Sequence, residues 1–290
     1  MKQIKFYFLA AFLFLTLQIF NPVFSQNASV QKIKRGKDIT INNQTYTSLE
    51  GFIDVPENWT THSERRIQLP VFIVRSATKT PAEPIFWLDG GPGSSNILTA
   101  KKIASSPTTA KLLEHHDFVC IGYRGIDGST ILKSKKINKA MKGLNHQMLS
   151  DESLNNVEAK IKEYQVQLKK DGIDINNYTM IDVIEDFEYA RKYLGYKNIN
   201  TLSISYGTRI ALLYSYKYPE VIKRTVMIGA NPPGHFVWFP EKAEQILDMY
   251  DSIFKSQNVI TYKGQLKETM KKHLKNCPRD GRYLNWMPTK

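Results

Sequence analysis

Only two cysteines, Cys120 and Cys277, occur in 290 residues. That is too few for a disulfide framework, so stability has to come from a hydrophobic core. Cys120 lies in the apolar run Phe118-Val119-Cys120-Ile121 and reads as a buried small hydrophobe. Cys277 sits in a polar, lysine-rich stretch with no evident partner. Acidic residues are also scarce: 27 Asp and Glu against 40 Lys and Arg give a net charge of +13. Such an excess invites nucleic acid or an anionic membrane as partner. The densest basic segments, Lys133–Lys142 and Lys263–Lys275, carry no aromatic residues at stacking intervals and no nucleic-acid motif, so they read as solvated faces. No nucleic-acid partner is expected. Internal repeats and low-complexity tracts are missing as well. A composition of 42% hydrophobic and 23% charged residues excludes disorder, and the length admits one large α/β domain or two small ones.

The one long apolar run stands at the beginning. Lys2 and Lys5 precede an apolar stretch from Phe6 to Phe20, broken only by Thr16 and Gln18, and Val23-Phe24-Ser25 offers a cleavage point before Gln26. Residues 1–25 therefore read as a secretory signal, short of the ~20 apolar residues of a membrane span. No cysteine near the cut would carry a lipid. The expectation is a secreted or periplasmic protein without a stable membrane anchor after cleavage, and the loss of Lys2 and Lys5 takes +13 to +11. Asn27-Ala28-Ser29, Asn43-Gln44-Thr45, Asn58-Trp59-Thr60 and Asn177-Tyr178-Thr179 are glycosylation acceptors if the source is eukaryotic.

Six runs have β character: Tyr46–Val55, Leu69–Arg75, Pro84–Leu88, Phe118–Tyr123, Ile199–Ile204 and Thr225–Ile228. The last four are nearly continuously apolar, the pattern of strands buried on both faces. Helices are expected over Ser150–Lys170, Met180–Leu194, Tyr206–Tyr218, Glu241–Lys255 and Gln265–Lys275. The second of these has the capping-box pair Thr179 and Asp182, a stop at Gly195, and an apolar stripe of Ile181, Ile184, Phe187, Ala190 and Leu194. Two initial strands followed by alternating strands and helices point to an α/β fold with a mainly parallel sheet. Asn231-Pro232-Pro233-Gly234 ends that pattern.

Chemistry concentrates at two strand ends. Ser203-Ile204-Ser205-Tyr206-Gly207-Thr208 joins a buried strand to an apolar helix. A nucleophile elbow needs small residues two before and two after its serine, because the turn brings strand and helix backbones together; Ser203 and Gly207 meet that need. Ser205 would project at the carboxyl end of the sheet. Trp87-Leu88-Asp89-Gly90-Gly91-Pro92-Gly93-Ser94-Ser95 also follows a buried strand, and its glycines allow backbone N–H groups to be aimed at one point. Acyl transfer uses such donors, each worth ~3–4 kcal/mol, to hold the oxygen of a tetrahedral intermediate. One would come from Tyr206, the residue after the serine, and another from the glycine loop.

These two segments, with Gly122-Tyr123-Arg124-Gly125-Ile126-Asp127-Gly128-Ser129 and the helix Asp182–Gly195, follow the order and spacing of the proline iminopeptidase and tripeptidyl aminopeptidase family of α/β hydrolases, which the chain resembles over roughly residues 46–234. The resemblance implies an α/β-hydrolase fold and a secreted serine exopeptidase that removes N-terminal residues or short peptides from a peptide or small aminoacyl substrate, without metal or organic cofactor. It matches Ser205 to the nucleophile, Gly90, Gly91 and Tyr206 to the oxyanion region, and Arg124 and Gly125 to an element supporting the site. Asp89 stands where single-domain members carry His. The glycine loop is also similar to that of serine carboxypeptidases, but Ser205-Tyr206-Gly207-Thr208 and the two cysteines fit the aminopeptidases better.

A catalytic acid and a histidine should follow the serine in the chain. Downstream histidines are only His235, in a Pro-Gly turn, and His273, among lysines, and neither has the right context. The expected organisation is a signal over 1–25, a hydrolase core of six strands over 26–234, and the start of a helical lid over 235–290, truncated before the acid and base. Two functions remain open: a serine aminopeptidase in its intact form, or a catalytically dead homologue that binds peptide, with a carboxypeptidase-like or esterase activity as a further alternative.

Overall fold

The computed structural model describes residues 33–142, 150–234, 239–257 and 266–275. The signal, His235 and Cys277 lie outside them. The backbone enters through β1 (Lys34–Arg35) and a small antiparallel hairpin of β2 (Ile39–Ile41) and β3 (Gln44–Tyr46). The main sheet then continues with β4 (Ser48–Pro56), β5 (Arg66–Val74), β6 (Ala82–Leu88), β7 (His116–Ile121), β8 (Ile199–Ile204) and β9 (Ile222–Ile228). Its order is β1-β4-β5-β7-β6-β8-β9. The six expected runs all form strands of this sheet, with β1 added at one edge. The run from Tyr46 divides, Tyr46 closing β3 and Ser48 opening β4, and β5 begins at Arg66 rather than Leu69.

The sheet is mixed rather than mainly parallel. Pairs β6–β7, β6–β8 and β8–β9 are parallel, while β1–β4, β4–β5 and β5–β7 are antiparallel. The division follows connection length: β4 and β5 are consecutive and need only a loop, whereas parallel neighbours need a crossover. Helices α1 (Asn96–Ala104) and α2 (Pro107–Leu113) make the first crossover. Neither stands out as a periodic run. Each begins at a serine whose side chain accepts a backbone N–H, Ser95 from Leu98 and Ser106 from Thr109.

Between β7 and β8 come α3 (Lys135–Lys142), α4 (Asp151–Lys170), a 3₁₀ turn (Ile175–Asn177) and α5 (Met180–Tyr193). The capping box of α5 is formed: Thr179 and Asp182 each receive the other's backbone N–H, and Gly195 leaves the helix at φ 77°. Its buried face is Val183, Ile184, Phe187 and Ala190, whereas Ile181, assigned to the stripe from its spacing, is 46% exposed. Helix α6 (Tyr206–Lys217) packs beside α5, and α7 (Pro240–Ser256) and α8 (Leu266–Lys275) pack on each other, with Asp251 accepting the Leu266 N–H.

Two apolar layers sandwich the sheet. Phe86, Leu88, Val119 and Ile121 meet Phe187 of α5 and Ile210 and Tyr214 of α6 on one face; Trp87, Phe118 and Cys120 meet Ile97, Ala100 and Leu113 of α1 and α2 on the other. Each large side chain so buried contributes about 1.5–3 kcal/mol. Coverage on both faces explains the continuous apolar runs of β6 and β7. For β9 that expectation is corrected: Val226 and Ile228 are 55% and 50% exposed. Among the described residues β9 is the sheet's edge; Thr225 faces Ser215 of α6, and the alternate residues face away from that helix. Cys120 is fully buried, its thiol directed at the Asn96 carbonyl, and burial pushes its pKa up.

Candidate active site

The site lies where β6 and β8 end side by side, Leu88 opposite Ser203 in parallel register. Beyond Ile204 the chain turns sharply into α6. Ser205 occupies φ 51°, ψ −119°, a left-handed backbone that a residue with a side chain adopts only when its surroundings hold it there. What holds it can be named. The Ser205 N–H donates to Ile228 O at 2.9 Å, and the Ser205 carbonyl accepts the Thr208 hydroxyl at 2.6 Å. Thr208 Oγ1 in turn accepts the Asn231 N–H at 2.8 Å, and Arg209 donates to Asn231 Oδ1 at 2.7 Å. Ser205 is exposed, and its side chain caps no helix N–H.

The small residue two after Ser205 is sterically required. A Cβ on Gly207 would overlap Leu88 O and lie 2.6 Å from Asp89 O, so α6 starts directly against the end of β6. Two residues before Ser205, the buried Ser203 hydroxyl donates to Val226 O across the β8–β9 pair. Tyr206 is the first residue of α6 and half-buried, and burial raises its phenol pKa. The first-turn N–H groups of α6 thus face the end of the sheet where Ser205 stands.

The glycine loop meets this elbow. A Cβ on Gly90 would stand 3.1 Å from Ser205 Cβ and 3.7 Å from its Oγ, so the Gly90 backbone lies against the serine. Gly91 takes φ 113°, and Gly91–Ser94 are exposed. Asp89 is buried; its N–H donates to Asn96 Oδ1 at 2.8 Å, and its carbonyl accepts the Tyr123 hydroxyl at 3.1 Å.

Two residues that sequence reasoning did not single out organise the loop. The Asn96 side-chain amide donates to Trp87 O and Ile121 O, tying the ends of β6 and β7 together while its oxygen holds Asp89. The Asp127 carboxylate accepts from the Ser95 hydroxyl at 2.5 Å, the Asn96 N–H at 3.1 Å and the Tyr123 N–H at 3.0 Å. It therefore couples the glycine loop to the Gly122–Ser129 segment. An Asn directly after a serine cap carries no local signature of such a clamp.

Arg124 stands apart from Ser205 and is wholly occupied. Its side chain is 0% exposed, and all five of its N–H donors have partners: Asp186 twice, and the carbonyls of Pro56, Glu57 and Asn177. Trp59 also donates to Asp186. Burial pushes the Asp186 carboxyl up to about 6, against the pull of Arg124 and Trp59. Gly125 follows at φ 78°, where a Cβ would press on Leu132 and Tyr178 at 3.0 and 3.1 Å. Ser205, Tyr206, Gly207, Asp89 and Gly90 are thus one contiguous group, with Gly91 at its open edge. Arg124 and Gly125 belong to an adjoining layer. His273 lies on α8, and among the described residues no cluster of groups is suited to a metal ion.

A protein-family model described as alpha/beta hydrolase fold matches residues 83–273. A tripeptidyl aminopeptidase from Streptomyces coelicolor is 24% identical over 204 residues, a match covering 67% of this chain and 37% of that protein. A putative hydrolase, YuaR, from Escherichia coli is 25% identical over 215 residues, covering 69% of this chain and 40% of the relative. The chain thus spans well under half the length of these curated relatives. Among solved structures, a proline iminopeptidase-related protein from Thermus thermophilus is similar with a TM-score of 0.36 and 17% identity, covering 61% of this chain and 44% of that one. A putative acyltransferase from Salmonella enterica gives 0.39 and 17%, over 77% and 54%.

Proposed function

The chain belongs to the α/β-hydrolase fold family, and from that premise we propose that it is a serine hydrolase, with Ser205 as nucleophile, acting as an aminopeptidase on peptides or small aminoacyl substrates. The observation that carries the reading is the elbow itself: an exposed serine in a left-handed backbone, at a strand-to-helix turn, with the glycine loop against its side chain. Ser205 Oγ attacks the carbonyl carbon and gives its proton to a base. The oxygen takes the negative charge and is met by the N–H groups of Tyr206 and of the Gly90–Gly91 backbone. The C–N bond then breaks, the amine leaves, and water hydrolyses the acyl-enzyme. Asp89 and Gly207 would hold this geometry, Gly207 by letting α6 start against the end of β6.

The aminopeptidase specificity draws support from the Streptomyces relatives, which are named tripeptidyl aminopeptidases. The reading includes export, on the strength of residues 1–25, and a catalytic acid and base not assigned among the described residues.

Activity-based labelling tests it. A fluorophosphonate should attach to the protein, and Ser205→Ala should abolish attachment and lower turnover of an aminoacyl amide by several orders of magnitude. A whole protein that takes no label would instead be a homologue that binds peptide without cleaving it.

A further inference from the structure

Between Asp89 and Ser95 the chain carries three glycines in five residues, and Gly91 and Gly93 take φ of 113° and 104°. Glycine gives up more backbone freedom than any other residue when it is fixed, so such a stretch does not aim its own N–H groups. The aim has to come from its two ends, and both lead to Asp127. At the trailing end the buried Asp127 carboxylate accepts the Ser95 hydroxyl at 2.5 Å and the Asn96 N–H, the first of α1, at 3.1 Å. Helix α1 has no acid of its own in its first turn, so Asp127 supplies from outside the negative charge that a helix start favours. At the leading end the same carboxylate accepts the Tyr123 N–H at 3.0 Å, while the Tyr123 hydroxyl and the Asn96 side chain hold the carbonyl and the N–H of Asp89. Asp127 is itself anchored on the sheet: the Ser129 N–H donates to Gln68 O of β5, and the Gln68 N–H donates to the Ser129 hydroxyl. A Cβ at Gly122 would stand 2.6 Å from Asp127 Cβ, and one at Gly128 would overlap Gln68 O, so both glycines set where the carboxylate stands.

We infer that Asp127 is a positioning residue for the acyl transfer: acting through Ser95, Asn96 and Tyr123, it holds the glycine loop where the loop's N–H groups meet the oxygen of the tetrahedral intermediate. The inference rests on Ser205 being the nucleophile. A small displacement of the loop is enough to matter, because a hydrogen bond weakens steeply once its angle closes below about 120°. Each preorganised donor to that oxygen is worth on the order of 10²–10³ in rate. A brace that only stabilised the fold would leave those donors in place in every molecule that stayed folded.

Two matched fluorophosphonates separate these roles, one with a P=O group and the other with P=S. With either, an Oγ–P bond forms, the P–F bond breaks, fluoride leaves and the hydroxyl proton passes to solvent. Sulfur is a weak acceptor, so the oxygen-to-sulfur ratio of labelling rates, divided by the same ratio for hydroxide in free solution, reports the N–H donors. On the whole protein that corrected ratio should exceed one by at least about tenfold. Asp127→Ala should slow the oxygen probe at least about tenfold and lower the ratio by a similar factor, and Asp127→Asn, of the same size and with one oxygen kept, should restore part of it. Loss of folded protein slows both probes alike and leaves the ratio where it was. A ratio near one in the unaltered protein, or one unmoved by Asp127→Ala, overturns the positioning role while leaving the nucleophile standing. If Asp127→Ala does not fold, Ser95→Ala cuts the same link from the loop's side, and an unmoved ratio there overturns the role equally. Absence of Ser205-dependent labelling by either probe overturns both readings.

Discussion

Gly207 tolerates no side chain, because α6 begins in contact with the last carbonyls of β6. Gly207→Ala must push the helix from the strand, and the expected cost is about 1–3 kcal/mol or more, read as a fall in the urea midpoint together with slower labelling of Ser205. Arg124 and Asp186 make the second residue-scale prediction. Both are buried, so Asp186→Asn leaves the guanidinium with only Asp182, 3.9 Å away, as counter-ion and should cost about 2–4 kcal/mol in equilibrium unfolding. If the loss is only a few tenths, the pair is not the brace described. Ser205 and Gly207 were readable from the sequence because an elbow imposes steric demands at fixed offsets. Asn96 and Asp127 were not, since their partners, Ile121 and Trp87 for one and Ser95 and Tyr123 for the other, come together only through the sheet.

Helix α5 shows what an element's sequence can and cannot declare. Its ends carry local chemistry, Thr179 with Asp182 and then Gly195, and both stand where spacing put them. Thr179→Ala removes the cap and should lower stability by about 1 kcal/mol in urea unfolding, leaving the helix register intact. Its buried face was less readable, because apolar character alone does not say which positions a neighbouring element covers; Ile181 has the right spacing and is nonetheless 46% exposed. The same helix gives a pH dependence. Burial alone would raise the pKa of Glu188, but hydrogen bonds from Arg191 and Lys192 outweigh it and hold the carboxyl below its ordinary 4.5. A depressed folded pKa means stability present above 4.5 and lost as the pH falls through the folded value. Glu188→Gln should therefore flatten the acid side of the unfolding-midpoint profile, and an unchanged slope there would remove Glu188 from the account.

At the scale of the molecule, the sheet among the described residues is well buried from β5 to β8 and exposed at β9. An exposed edge strand is a template for association. Val226→Lys with Ile228→Lys should reduce concentration-dependent sedimentation without changing Ser205 labelling; equal sedimentation would show the edge to be inert. The α/β class was legible from the alternation of elements. The antiparallel half was not, because strand direction depends on which neighbours a strand finds and not on its composition. The contact between Gly90 and Ser205 has a use of its own. Its partners are more than a hundred residues apart and meet only when β6 and β8 have paired. Reactivity at that serine would then be a clock for folding: pulsed with a fluorophosphonate during refolding, the chain should take the label last, after its helices have formed, so that each labelled molecule counts one completed sheet.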